Sequence, residues 1–535
     1  MKAHLKIFFL LTAIGFLLVV LFRRLAIFDD AYITYRYARN LARGLGPVFN
    51  AGERVEGCTA FLQMIILAPF AALKMDLRMV SLSVSILCLA LIGVVGRAKI
   101  FAIQSERRGA SAWPWFFPAM IISSPALVTW MISGMETIWL TTAIFMAVAV
   151  ADGEAKKHHL PVASALLSVL VALLRPEGIL TAAMMGLSLL LFEKEKRIRH
   201  AVVFGMVFAV PYGIYFLWRY SYYGFLFPNT YYAKVGSQNP LLFARGVLYL
   251  LSSLLAGVFP VITIWLLFLV RRRRLLLDRN EKTILMVIAG QAFQTVWTGG
   301  DFFMFFRFMV PVWPLFLFLV FSMSEKIFQN RNQADSQRKK MRSLFWRLEM
   351  RRPGAIALIF AVDLCMTLYS LNGFKTLVQS GLAREWEHES RLLKPLIPRE
   401  ATVATIAIGA IGYILDLPLI DMAGLTDATI AHTPIQTGRE FAGHEKFNTE
   451  YVFSRKPDFI LACILVSRQP VKQCPLQPGG LAIMPSLTDL LESTDLSKRY
   501  IFANHESGDS FVTAYLLRER IGQTGYEGWF GVKEE

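Results

Sequence analysis

Two adjacent carboxylates, Asp29 and Asp30, open the stretch FDDAYITYRYARNLARGLGPVFNAGERVEG, just past the first apolar run. An acid can stay ionised at a membrane surface without the cost of the hydrocarbon core. Tyr32, Arg36, Tyr37 and Arg39 follow closely, and the group has the composition of a site. The chemistry that suits it is general base catalysis, in which one carboxylate takes a proton from an acceptor hydroxyl. Adjacent helical positions point about 100° apart. The two acids are therefore expected to do different jobs, Asp29 as the base and Asp30 orienting substrate or a metal. The alternative is a helix cap, or a structural ion pair with Arg36 or Arg39.

Four further motifs carry polar groups that could serve such a reaction. In GGDFFMFFRF (299–308), Gly299 and Gly300 allow close backbone approach, and Arg307 could clamp a phosphate with its planar fork. The alternative is an ion pair between Arg307 and Asp301 inside an aromatic belt. In YYGFLFPNTYYAK (222–234), Tyr223 and Tyr231 with Asn229 and Lys234 suit sugar stacking, hydroxyl bonding and anion contact, against the same belt alternative. Arg219 is either a snorkelling anchor or a phosphate ligand. SGMET and RPEG place Glu136 and Glu177 in tight turns, where charges near a membrane are expensive unless functional or paired. Arg175 either pairs with Glu177 or joins the phosphate-binding cations, with Arg307, Lys234, Arg219 and Arg36.

The elements that must position these residues are membrane spans. The chain has 535 residues, 55% of them hydrophobic and 18% charged. A soluble domain has roughly 25% charged residues. The net charge of +17 is no nucleic-acid signal here, because Lys and Arg gather in cytoplasmic loops of membrane proteins. Apolar runs lie near 5–22, 79–96, 113–133, 136–151, 160–175, 178–192, 200–217, 247–270, 283–299, 304–322 and 354–371, with a shorter run at 58–73. If 58–73 lies in the interface or re-enters, one set of loops carries 25 Lys and Arg and the other 13. The basic set, including RRRR at 271–274, is then cytoplasmic, and about eleven crossings leave the N-terminus inside and the C-terminus outside. MKAHLK and the run behind it read as an uncleaved first span, since no small-residue cleavage site follows.

Every polar motif above then falls on the outer face. After about residue 372 the composition changes, and short β-rich runs (401–408, 459–466, 511–517) alternate with turn residues, as in a small α/β domain. The expected fold is therefore a mainly α-helical polytopic membrane protein: residues 1–371 form the transmembrane catalytic domain, with a first outer loop over 23–78, and 372–535 form an outward α/β domain. Cys463 and Cys474 share that domain and could pair in an oxidising compartment. No zinc motif and no nucleotide-binding glycine pattern is present.

Taken in order, these motifs resemble the GT-C superfamily of polytopic glycosyltransferases, and most of all the arabinofuranosyltransferase-related branch of mycobacterial cell-wall arabinan synthesis. The shared motifs are Asp29–Thr59, Ser133–Thr137, Arg175–Gly178, Tyr222–Lys234, Gly299–Phe308, Gly409–Ala431 and Gly443–Lys446. Cys58 stands where the branch usually has an aromatic residue such as Tyr. The resemblance implies a GT-C fold in the bacterial inner membrane. It implies inverting transfer of a pentofuranose such as arabinofuranose from a polyprenyl-phosphate donor to an extracytoplasmic glycan or protein acceptor. Asp29 and Asp30 would be catalytic. Tyr32, Tyr37, Glu136, Glu177, Tyr223, Asn229, Tyr231, Asp301, Asp421 and Asp427 would contact substrate. No cofactor is required, and a divalent cation (Mg, Mn or Ca) at Asp29 and Asp30 stays open. A hexosyl or mannosyl transferase is the alternative within the superfamily. From another class, a lipid-linked sugar flippase would need inverted repeats and polar groups at mid-bilayer.

Overall fold

The computed structural model describes residues 27–105, 113–236, 239–255, 277–303, 305–334, 374–439, 442–475 and 484–532. The expected spans at 5–22 and 354–371, part of 247–270, and the boundary at 371–372 lie outside them. The described part is mainly helical, with a small C-terminal sheet.

Helix α1 (Asp29–Ala42) has no side-chain cap, but Asp29 and Asp30 fill its first turn and Arg39 its last, matching the helix dipole at both ends. Helix α2 (Phe61–Ala72) has 12 residues. It rises about 18 Å, short of the ~30 Å hydrocarbon thickness, so the run at 58–73 does not cross as one straight helix. Helix α3 (Leu77–Ser105) follows. The run at 113–133, expected as one span, is broken instead. Helices α4 (Trp113–Ser123) and α5 (Pro125–Ile132) meet at 57°. The cause is local: Ser124 caps α5 through the Leu127 N–H, and Pro125 has no N–H to continue α4.

Next come α6 (Thr137–Lys156), α7 (Val162–Leu174), α8 (Gly178–Phe192), α9 (Arg197–Tyr223), the short α10 (Asn229–Lys234), α11 (Pro240–Leu255), α12 (Arg279–Trp297) and α13 (Trp313–Ala334). Among the described residues, three helices are long and apolar enough to cross a membrane, within α3, α6 and α9, or up to four with the bent pair. Helix α9 turns Val202, Met206, Val210, Ile214 and Leu217 outward, an exposed apolar stripe that no described residue covers.

Helix α14 (Phe374–Leu393) leads into a seven-stranded sheet. Its strands are β1 (Val403–Thr405), β2 (Leu419–Asp421), β3 (Phe459–Ile460), β4 (Val466–Ser467), β5 (Tyr500–Ser507), β6 (Ser510–Leu517) and β7 (Trp529–Gly531), in the order β2-β1-β3-β6-β5-β7 with β4 also on β6. Strand β1 runs parallel to β2 and β3, while the β5–β6 hairpin is antiparallel, with Ala503 opposite Ala514. Helix α15 (Ile408–Leu415) follows β1 and packs on α1. Alternation along β1 divides the core. Val403 joins the cluster that continues through α15 into the helical bundle, and Ala404 joins a second cluster on the other sheet face, with Ile420, Ile460 and Tyr500. Cys463 and Cys474 form a disulfide.

Candidate active site

The sequence motifs converge on one cavity of about 480 Å³. Asp30, Glu136, Arg175, Glu177, Lys234, Asp301 and Arg307 line its polar end. Its apolar end lies between α8 (Ile179, Leu180, Ala183) and α12 (Phe293, Trp297). There Ile179, Phe293 and Trp297 are 41%, 58% and 45% exposed, so this end of the cavity reaches the protein surface. The opening closes further along the same helices. A Cβ at Gly290 of α12 would lie 2.7 Å from Cγ of Met184 on α8, so any larger residue there would have to displace that side chain.

The two carboxylates of α1 separate as their spacing requires, Asp29 toward α15 and Asp30 toward the cavity. Asp29 accepts hydrogen bonds from the backbone N–H of Gly409 (3.0 Å) and Ala410 (2.8 Å) in the first turn of α15. Burial pushes its carboxyl up to about 7, the Ala410 bond opposes that, and the charge of Asp30 adds to it. Asp30 faces the cavity with its side chain 26% exposed, and its Oδ2 lies 4.0 Å from Nη1 of Arg307. The pair thus presents one carboxylate, Asp30, to the cavity. Among the described residues, no group of three or more His, Cys, Asp or Glu side chains is arranged to hold a metal.

Arg307 is buried, its guanidinium 4.5 Å from the Phe303 ring centre and 5.2 Å from that of Phe308. Its Nε lies 2.7 Å from Oδ2 of Asp301, an ion pair too bent for an in-line hydrogen bond. Asp301 also accepts from Tyr249 Oη at 3.0 Å and from the Phe303 N–H at 3.2 Å. Arg307 therefore makes the ion pair with Asp301 that was the alternative reading, and it also lines the cavity. Gly299 and Gly300 hold φ of 78° and 69°, and Phe305 and Phe306 hold 56° and 52°. Two consecutive non-glycine residues in the left-handed region are local strain, stored beside Arg307.

The other cations divide clearly. Arg175 lines the cavity and is tied to Glu136 (2.7 Å) and Glu177. Lys234 lines the cavity at the end of α10, its aliphatic stem against Gly443. Among the described residues it has no hydrogen-bond or ion-pair partner. Burial lowers its pKa, the charge of Asp30 raises it, and Arg307 and Arg175 lower it again. Arg219 does not line the cavity but forms a two-pronged pair with Glu56, at 2.9 and 2.6 Å. Arg36 is also turned away. It donates to the carbonyls of Phe49, Gly412 and Leu417 and to Asn50.

Several expected substrate contacts are framework instead. Tyr32 donates to Glu387, Tyr37 to the Val55 carbonyl and Tyr223 to the Pro47 carbonyl. Asn229 donates to the carbonyls of Gly424 (2.8 Å) and Leu425 (3.0 Å), holding that turn at the cavity wall. Asp421 closes the same turn by accepting from the N–H groups of Ala423, Gly424 and Thr426, and burial pushes its carboxyl up to about 6. Asp427 caps the helix Ala428–Ala431 and accepts from Tyr451. Tyr231, Glu136, Glu177 and Asp301 do line the cavity.

Three parts of the wall were not among the candidate site residues read from sequence, although two fall within its shared motifs. Gly57 to Ala60 line it, Gly57 so close to Thr426 that a Cβ would overlap that side chain. Gln294 and Trp297 of α12 precede the Gly299–Gly300 turn. Ala442 and Gly443 close the cavity from the C-terminal part. Beside them His444, edge-on to Phe302 at 5.3 Å, has its pKa lowered to about 4 by burial and by Lys234, and is neutral at pH 7. The signal for this wall lay in the motifs Gly409–Ala431 and Gly443–Lys446, whose order carried no hint of where they pack.

A domain of unknown function (DUF8728) matches residues 379–515. Two relatives are terminal beta-(1->2)-arabinofuranosyltransferases. One, from Corynebacterium glutamicum, is 31% identical over 236 residues, covering 39% of this chain and 33% of the relative. The other, from Mycobacterium tuberculosis, is 29% identical over 234 residues, covering 41% of this chain and 36% of the relative. The chain spans about a third of the length of these curated relatives. The resemblance read from the motifs, to the terminal arabinofuranosyltransferase branch, is borne out by these likenesses.

Proposed function

We propose that this protein is an inverting glycosyltransferase working at the outward face of the bacterial inner membrane. It would move a pentofuranose such as arabinofuranose from a polyprenyl-phosphate donor to an extracytoplasmic glycan. The observation that carries this reading is the cavity itself. Asp30, the carboxylate without an ion pair closer than 4.0 Å among the described residues, shares the cavity with Lys234, which has no partner among those residues, with Arg307, half engaged by Asp301, and with apolar side chains of α8 and α12. An anionic head on a long apolar tail matches that gradient. The sugar of the two relatives' names supports arabinofuranose. The Cys463–Cys474 disulfide supports an outward C-terminal part.

In the proposed reaction the acceptor hydroxyl oxygen attacks the anomeric carbon from the face opposite the phosphate. The new C–O bond forms as the bond to the phosphate oxygen breaks, the hydroxyl proton passes to Asp30, and polyprenyl phosphate leaves. Lys234 and Arg307 stabilise the charge developing on the leaving oxygen. Arg175 is saturated by Glu136 and Glu177 and shapes the wall. No step needs a metal.

The test is transfer by the purified full chain from polyprenyl-phosphate arabinofuranose to an arabinan oligosaccharide, with the product's anomeric configuration read by NMR. Inverted product, lost in Asp30→Asn and retained in EDTA, is expected. Transfer of mannose but not arabinofuranose would replace the sugar assignment, and wild-type transfer by Asp30→Asn would refute the base.

A further inference from the structure

The base reading leaves Asp29 without a chemical step, yet its surroundings are as well built as those of Asp30. Helix α1 is fixed to α15 along its whole length. At the start, Asp29 accepts from the first-turn N–H groups of Gly409 and Ala410. Further on, Arg36 donates to the carbonyls of Gly412 (2.7 Å) and Leu417 (2.7 Å). At the end, Arg39 donates to the Tyr413 carbonyl (2.8 Å) and pairs with Asp416 (2.6 Å), which also meets Arg43 (2.8 Å). A carboxylate thus sits on the positive end of the α15 dipole and guanidinium groups on its negative end. The approach is tight, since a Cβ on Gly409 would overlap the Asp29 carbonyl oxygen. Asp30 is the next residue along, so whatever fixes Asp29 fixes the position of the Asp30 carboxylate.

We propose that Asp29 is a positioning residue, a latch by which the C-terminal sheet domain sets the Asp30 carboxylate in the cavity. The proposal rests on the reading of Asp30 as base. The latch holds the first turn of α1 at one height and one rotation. Without it, Asp30 still lines the cavity but no longer meets an acceptor hydroxyl in line. An error of about 1 Å in such a geometry costs up to ~10²-fold in rate. Donor binding, through Lys234 and Arg307, does not depend on it.

The test uses the full chain and reads kcat, donor KM and thermal midpoint together. Asp29→Asn keeps the shape but sets an NH2 against an N–H donor. It should lower kcat about 10–100-fold, with donor KM within about twofold of wild type and the thermal midpoint retained. Gly409→Ala leaves Asp29 intact and pushes α15 off the first turn. It should show the same split, and it decides the matter if Asp29→Asn fails to fold. The double variant should be no slower than the worse single one, because both break one contact. Wild-type kcat in either folded variant, or multiplying losses in the double variant, overturns the latch. Asp30→Asn run alongside separates the two readings. If Asp30→Asn is inactive while Asp29→Asn is fully active, only the latch falls. If Asp30→Asn transfers sugar normally, the base assignment falls and takes the latch with it.

Discussion

Lys234 offers the sharpest division between binding and stability. It lines the cavity without an ion-pair partner among the described residues, so Lys234→Met removes a charge while breaking no contact of the free protein. A hydrogen bond to a charged group contributes about 1.5–3 kcal/mol. At about 1.4 kcal/mol per decade, that is a loss of roughly 10–150-fold in kcat/KM. Two unit charges 4 Å apart at an effective dielectric of 20 set an upper limit of about 4 kcal/mol, near a thousandfold. Stability should hold or rise, because burial already works against the charged amine. Arg307→Ala is the contrast. It strands the Asp301 carboxylate and should cost about 3–5 kcal/mol of stability besides activity. The assay is initial-rate transfer from a labelled lipid donor, with thermal midpoints in the same detergent. A Lys234→Met protein with wild-type midpoint and kcat/KM within about twofold of wild type would refute the phosphate contact.

Two further outcomes follow from the framework. Asn229→Ala should destabilise by about 1–3 kcal/mol in denaturant titration, because two carbonyls lose their donor, and Asn229→Asp should cost more, since it sets an acceptor against them. For pH, Asp29 titrates near 7 in the folded protein against about 3.9 unfolded, so ionising it costs folding free energy. Stability should fall as pH rises from about 4 to 7. The drop in thermal midpoint between pH 5 and pH 8 should be smaller in Asp29→Asn than in wild type, and an equal drop in both would contradict this.

Most of the cavity could be read from the sequence because its motifs are punctuated. Gly-Gly, Pro-Asn and Arg-Pro-Glu turns end apolar runs, and Gly300, Pro228, Arg175, Pro176 and Glu177 from them line the cavity. Which carboxylate of the pair faces it could not be read. That depends on α15, whose N–H groups claim Asp29 from the far end of the chain. For the same reason Arg36 and Arg219, polar and well placed by sequence, turn out to serve buried carbonyls and Glu56. A cation's partner is a matter of packing, not of spacing. The break at Ser124–Pro125 was visible in the residues but hidden by the continuous hydropathy around it. In the C-terminal part the strand at 511–517 was evident, while its partner at Tyr500–Ser507, carrying Asn504, His505 and Glu506, was not.

The Asp29 contact also spans time. Its two partners are 380 residues apart in the chain. A ribosome adding about 5–20 residues per second needs roughly 20–80 s to travel that distance. Throughout that interval Asp29 lacks the Gly409 and Ala410 N–H groups that it meets in the folded chain. The Asp29 end of the cavity wall therefore takes its final form only after Ala410 has been made, and a copy truncated before that residue would lack the contact.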